Sequence, residues 1–250
     1  MYVDKNKIKK SRKPIADGAF GKVYKAKYNK EKYAYKVFNP NDCIKKEKEI
    51  IRFEKLCQRY DGSNLLLPKY LVKDNGLESY LMDFYVGKEF ISLFLSSIEK
   101  RMFFLNLAKD MLIKLNNDYG IIHSDIHFGN FMFNEKKKTV AFTDFDSAKI
   151  DGIECERENR LKLVNQYLSD NDYDKNVDTY MFNLLTFALL NNKNLEAARS
   201  ILNNDNHMCL FTSDAAKKTL DDMLNYKKNE NYLIDMIDEK QIRKHILIIK

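Results

Sequence analysis

Tryptophan is absent from the 250 residues, and cysteine occurs four times, proline three times and glycine eight times. Cys43, Cys57, Cys155 and Cys209 never fall into a Cys-x-x-Cys spacing, so neither a zinc site nor a disulfide framework is expected. They read as reduced thiols of a cytosol. No apolar run is long enough to cross a bilayer: the strongest, near Met181 to Leu190, is short and is interrupted by Asn183 and Thr186. The first ten residues are charged and hold no apolar segment, so no secretory signal is expected. The expected location is cytoplasmic, or the cytosol of a host cell if the chain is exported by a route that leaves no such signal. No internal repeat or low-complexity linker interrupts the chain.

The formal net charge is +7. Lys5, Lys7, Lys9, Lys10, Arg12 and Lys13 cluster near the N-terminus, while the other basic residues are interleaved with acids. A solvated basic arm is the commoner meaning of such a run, so no nucleic-acid function is expected. A length of 250 residues and 44% hydrophobic content suit one core-forming unit.

The most informative segment is His-Ser-Asp-Ile-His-Phe-Gly-Asn over residues 123–130, followed by Thr-Asp-Phe-Asp over residues 143–146. Asp125 and Asn130 lie five positions apart, and Asp144 follows nineteen residues after Asp125. Between them, residues 130–133 and 139–143 are apolar-rich, β-prone runs separated by the polar turn 135–138. A hairpin of that kind carries Asp144 back towards Asn130. Two carboxylates and an amide are what phosphoryl transfer from Mg·ATP requires: one carboxylate to orient the acceptor hydroxyl, and an amide with a carboxylate to hold metal on the phosphates.

These residues resemble the catalytic loop and metal-binding segment of the protein kinase-like superfamily, His-Arg-Asp-Leu-x-x-x-Asn followed by Asp-Phe-Gly. The N-terminal third carries the same resemblance. Ala-Asp-Gly-Ala-Phe-Gly-Lys-Val-Tyr over residues 16–24 looks like the glycine-rich loop, with Ala16 where the first glycine usually stands. Tyr-Ala-Tyr-Lys-Val over residues 33–37 is similar to Val-Ala-Ile-Lys and puts the strand lysine at Lys36. A helix over residues 47–56 sets Ile50, Phe53 and Leu56 on one face. The resemblance makes Glu49 the partner of Lys36, with Glu47 and Glu54 as fallbacks. Residues 80–87 look like the hinge strand with Met82 as gatekeeper, and residues 178–190 like the central helix, apolar on nearly every face as full burial requires.

The fold implied is α+β and two-lobed, a single kinase-like domain over residues 1–250 with a small β-rich N-lobe at 1–84 and a reduced helical C-lobe at 85–250. In that lobe a short helix follows the hinge over residues 89–96. A long one spans Ile98 to Tyr119, with Phe103, Leu107, Met111 and Leu115 spaced by four and Gly120 at the C-cap. Three amphipathic helices follow, over 195–202, 214–224 and 232–249. The resemblance implies ATP and Mg²⁺ as cofactors. Gly18, Ala19, Phe20, Gly21, Val23, Ala34, Lys36, Glu49, Met82, Asp83 and Tyr85 would line the nucleotide. Asn130, Asp144 and Asp146 would face metal. Asp125 would be the base, assisted by Lys36, Asn130 and His127, with His123 bracing the loop.

Departures from the pattern narrow the reading. Ser124 replaces the arginine that ordinarily anchors a phosphorylated loop, so activity independent of loop phosphorylation is expected, with Arg157, Arg160 or a nearby lysine as substitute anchors. His127 replaces the lysine two residues after the aspartate, and Asp146 replaces the glycine of Asp-Phe-Gly; both are similar to aminoglycoside and choline phosphotransferases. Asp146 is expected either on magnesium or in water. The glycine-rich loop, the lysine strand and the following helix look more like protein kinases. The compact C-lobe resembles small kinases that bacterial pathogens or viruses send into host cells. A protein serine/threonine kinase effector is therefore the favoured reading, with a protein substrate and an activating partner protein. A small-molecule phosphotransferase and a catalytically silent binding module are the alternatives.

Overall fold

A computed structural model describes residues 1–18, 20–156, 161–204 and 209–237. The chain forms two compact units, Met1–Val86 with Ala141–Glu156, and Gly87–Val140 with Arg157–Lys250. The first is β-rich and the second helical.

The first unit is built on a twisted antiparallel sheet. Its strands are β1 (Lys9–Lys10), β2 (Ala16–Gly18), β3 (Gly21–Tyr28), β4 (Glu31–Phe38), β5 (Tyr70–Lys73) and β6 (Leu77–Asp83), in the order β1-β3-β4-β6-β5 with β2 also on β3. The register sets Val23 opposite Lys36, Lys36 opposite Tyr80, and Ala34 opposite Met82. Direct cross-strand partners share a face, so Val23, Ala34, Lys36, Tyr80 and Met82 lie on one side of the sheet. Ala26, Tyr33, Tyr35, Val72 and Leu81 make a core on the other, with Ile8 and Tyr70 packed against it. Helix α1 (Glu47–Gln58) covers the first side, where Phe53 meets Phe38 and Tyr80 at ring separations of 5.8 and 5.7 Å.

Gly21 is demanded by packing: a Cβ there would sit 2.3 Å from the Val37 carbonyl oxygen on β4. Gly18, across the hairpin, meets nothing closer than 3.6 Å, so only one of the two glycines is fixed by the sheet itself. Ala19 lies outside the described residues. The segment Ala141–Glu156 joins this unit through Leu66, whose amide donates to the Phe142 carbonyl at 2.8 Å, and includes the short strand Lys149–Ile150.

The second unit opens with β7 (Lys88–Glu89) and a 3₁₀ helix, Phe90–Leu95, where a short helix is expected from the sequence. Helix α2 (Ile98–Asn117) follows, capped by the Ser97 hydroxyl. Its buried stripe is Ile98, Arg101, Phe104, Leu105, Ala108, Leu112 and Leu115. This corrects the expected stripe of Phe103, Leu107, Met111 and Leu115, of which only Leu115 is buried and Phe103 is 42% exposed. Steps of four drift around a helix of 3.6 residues per turn, and the observed face mixes steps of three and four. Gly120 adopts φ +63° two residues beyond the C-cap Asp118. Arg101 is buried without a carboxylate, and its guanidinium instead donates to the carbonyls of Leu93, Phe94, Ser96 and Leu189 and to Asn192 Oδ1.

Strand β8 (Ile121–Ile122) leads into the loop of interest. β9 (Phe131–Asn134) and β10 (Thr139–Phe142) flank the expected polar turn, with β7 paired to β9. Then come α3 (Lys162–Leu168), α4 (Asn176–Leu190), α5 (Leu195–Ser200) and α6 (Asp214–Leu224). Every residue of α4 is buried, as apolar residues on nearly every face require. Asn194 and Ser213 cap α5 and α6. The last expected helix shows only a 3₁₀ turn, Leu233–Met236; the remainder, like Arg157 and Arg160, lies outside the described residues. Among the described residues no helix is long and apolar enough to cross a membrane.

Candidate functional site

Two groups of polar side chains stand out, one in each unit.

In the first unit Lys36 is 4% exposed on the central strand β4. Its ammonium lies 2.6 Å from Asp144 Oδ1 and 2.9 Å from Asp146 Oδ2. Burial alone would depress an amine, but Asp146 and Asp144 outweigh it and raise the Lys36 pKa, so the ion pairs are complete at neutral pH. Asp144 holds a left-handed backbone, φ 62° and ψ 65°, at the start of the 3₁₀ turn Phe145–Ser147. A non-glycine residue there costs energy and persists only where surroundings impose it. The imposition is visible: Arg52, fully buried on α1, donates to the carbonyls of Asp146 at 2.7 Å and Ala148 at 2.8 Å.

Two expectations are corrected here. Glu49 does not pair with Lys36. Its Oε2 accepts from Arg52 Nη2 at 2.8 Å and Nε at 3.2 Å, and its Oε1 accepts the Glu156 amide at 3.0 Å. The physical reason is Arg52, a fully buried guanidinium whose charge is balanced by the carboxylate a turn earlier on the same helix. The fallbacks do not serve either: Glu54 accepts from the Tyr2 hydroxyl, and Glu47 is exposed. Nor does Asp146 face water. Its side chain is 2% exposed, and Oδ1 accepts from the Tyr80 hydroxyl at 2.9 Å. Lys36, Asp144 and Asp146 together carry one positive and two negative charges. Glu49 and Arg52 balance each other, so the surplus negative charge belongs to the aspartates.

Of the other nucleotide candidates, Val23, Ala34 and Met82 share the sheet face of Lys36. Gly18 and Gly21 oppose each other in the β2–β3 hairpin, and the Phe20 carbonyl accepts the Asn39 amide at 3.0 Å. Asp83 accepts from the Tyr60 hydroxyl at 2.6 Å, and Tyr85 follows in the connecting segment, half-buried.

In the second unit Asn130 is 5% exposed, and its amide donates to Asp125 twice, to the backbone carbonyl at 2.9 Å and to Oδ2 at 3.0 Å. His127 Nε2 lies 3.7 Å from the same Oδ2, while its Nδ1 accepts the Gly129 amide at 3.0 Å. An accepting Nδ1 leaves the ring proton on Nε2, on the side of Asp125. Burial pushes the Asp125 carboxyl up, but His127, His123 and the Asn130 amide together hold it below its ordinary value.

The loop is anchored from beneath by Asp178, which sequence reading passed over as part of an apolar helix. It is fully buried near the start of α4, and it accepts the amides of His123 at 2.8 Å and Ser124 at 2.7 Å and the Asn116 side chain at 2.9 Å. Those contacts hold Ser124 at φ 57°. The signal available in the sequence was a lone acid opening an otherwise apolar helix. His123 is 1% exposed, and its Nδ1 accepts the Asp125 amide at 3.3 Å, the bracing role expected of it.

The family model described as the protein kinase domain matches residues 10–244 of the chain. No curated protein matches it.

Proposed function

The chain belongs to the protein kinase domain family, and on that premise we propose that it is an ATP-dependent protein serine/threonine kinase. The observation that carries this reading is the buried Lys36 paired with Asp144 at 2.6 Å, a cation and a carboxylate held ready on a rigid strand and turn.

The residues suit ATP and magnesium. The surplus negative charge on Asp144 and Asp146 calls for a cation, and Asp144 and Asn130 offer the hard oxygen donors that Mg²⁺ prefers. Magnesium, when bound, neutralises charge on the phosphates as the γ-phosphoryl group moves. Asp144, 37% exposed, would turn its carboxylate to the metal, and the amide oxygen of Asn130 is the other donor that the kinase pattern assigns to it. Lys36 would bind the α- and β-phosphates, and the backbone around Gly18 and Gly21 would cover the chain of phosphates. Val23, Ala34 and Met82 present an apolar surface for a base. Asp125, kept ionised by its neighbours, orients the acceptor hydroxyl and takes its proton. His127 holds the Asp125 carboxylate from one side while Asn130 holds it from the other.

The compact helical unit, with α3 to α6 of 7, 15, 6 and 11 residues, favours an extended protein acceptor over an enclosed small-molecule pocket. His127 and the second aspartate of Asp-Phe-Asp favour the other reading, a small-molecule phosphotransferase. An activating partner docked on the helical unit is part of this reading, since Ser124 offers no anchor for a loop phosphate. Four free cysteines suit a cytosol, of the producing cell or a host. Labelled ATP supplied with a cell lysate, and separately with aminoglycosides and small alcohols, tests the proposal. Label on serine or threonine of protein bands supports it, and label on a small molecule favours the second reading. ATP binding without transfer to any acceptor would leave a silent binding module.

A further inference from the structure

Resting on the kinase reading, the geometry points to Asp146, oriented by Tyr80, as the residue that positions Lys36 for the phosphates, the task expected of Glu49. Every oxygen of the Glu49 carboxylate is engaged elsewhere, by Arg52 and by the Glu156 amide. Arg52 has no exposed surface, and its other N–H groups are spent on backbone carbonyls of the Asp146 turn. Moving Glu49 to Lys36 would strand that guanidinium in the interior, so the swap is opposed by a buried charge with no counter-ion.

Asp146 has the opposite situation. Its side chain and that of Lys36 are 2% and 5% exposed, so the two charges meet out of water. Tyr80 lies directly across from Lys36 on β6, and its hydroxyl takes Oδ1, which turns Oδ2 towards the ammonium. Lys36 thus rests on two carboxylates of different character. Asp144 is more than a third exposed and free to exchange Lys36 for a metal ion, whereas Asp146 is sealed in and stays. With Asp146 neutralised, Lys36 would hold to Asp144 alone and withdraw the carboxylate that the metal needs.

The test is a set of calorimetric titrations of ATP in EDTA, repeated as steady-state kinetics against Mg²⁺, on the full chain. Melting temperatures confirm that each variant folds. Asp146→Asn is expected to weaken ATP binding on the order of tenfold and to raise the Mg²⁺ concentration needed for half-maximal turnover. Glu49→Gln is expected to keep ATP affinity within about threefold while lowering the melting temperature. Tyr80→Phe removes only the orienting hydroxyl and is expected to reproduce the Asp146 effect more weakly, which covers the case of Asp146→Asn failing to fold. In a Lys36→Met background, Asp146→Asn should add no further loss, because positioning acts through the lysine. Equal losses from Glu49→Gln and Asp146→Asn, or an Asp146 effect that persists without Lys36, would overturn the inference alone. A wild-type protein that binds no ATP would sink the kinase reading, and this inference with it.

Discussion

The phenol of Tyr173 donates a hydrogen bond to the hydroxyl of Ser124 at 2.5 Å. Ser124 stands where an arginine would meet a phosphorylated loop, and here two neutral oxygens do the holding. A phosphate on Tyr173 would remove the donated proton and bring a charge of about −2 beside a buried serine. Activity should therefore survive phosphatase treatment unchanged. Tyr173→Phe should lower turnover about 2- to 10-fold, the worth of one hydrogen bond. Turnover measured before and after phosphatase, for wild type and variant, checks both. Loss on dephosphorylation would show that a phosphate anchor exists elsewhere.

Arg52 makes a stability prediction. Its guanidinium is fully buried, bonded to Glu49 and to carbonyls at both ends of the Asp146 turn. Arg52→Met should cost about 3–5 kcal/mol, because it leaves Glu49 charged and buried without its partner. Arg52→Lys should recover only part of that, since an ammonium cannot make the forked contacts. Urea denaturation of the three proteins measures the difference.

Asp178→Ala should be as damaging to the other unit. It would strand the amides of His123 and Ser124 and leave the Asn116 side-chain amide only the Ile121 carbonyl, a loss of about 3 kcal/mol or more at about 1 kcal/mol or more per lost buried bond. Ser124 would then relax from its positive φ, so the activity of any folded Asp178→Ala protein should fall even below its melting temperature. Parallel unfolding and turnover measurements separate the two effects.

The fold was legible in the sequence where one physical requirement dominates. Apolar residues on nearly every face from Asp178 to Leu190 point to a buried helix, and α4 is one, its few polar residues buried with the rest. The charged helix α1 was harder. Its buried stripe includes Glu49, Arg52, Phe53 and Leu56, so two of its residues are of a type that ordinarily faces water. Nothing in a mixed-charge run reveals that an i,i+3 pair will be folded inwards. For that reason the partner of Glu49 was misread, and the burial of Asp146 with it. The same holds for Arg101, whose partners are four backbone carbonyls and the Asn192 side chain, which no sequence pattern announces. In α2 a regular spacing of four drew the wrong face, because Phe103 and Phe104 are adjacent and only the packing chooses between them.

The pH dependence follows from Asp125. Its folded pKa lies below the ordinary aspartate value of 3.8, so folding favours the carboxylate. That stabilisation is complete above pH 3.8 and is lost as the pH falls through the lower folded value. Protonation of Asp125 should therefore leave kcat/KM untouched down to about pH 5. His127→Gln removes one of the groups that hold the carboxylate down, and should move the acid limb upwards. A pH–rate profile for each protein reads the shift; an acid limb unmoved by His127→Gln would remove His127 from the environment of Asp125.

The most direct test compares Asp125→Asn with wild type in two measurements on the same preparations: equilibrium binding of Mg·ATP, and transfer of the γ-phosphate in a single turnover. The amide keeps the hydrogen bond to Asn130 in reach but cannot accept a proton, so binding should match wild type while transfer falls on the order of 10²-fold or more. Transfer at the wild-type rate in Asp125→Asn, or a collapse of binding in place of transfer, would contradict the assignment of Asp125 as the base.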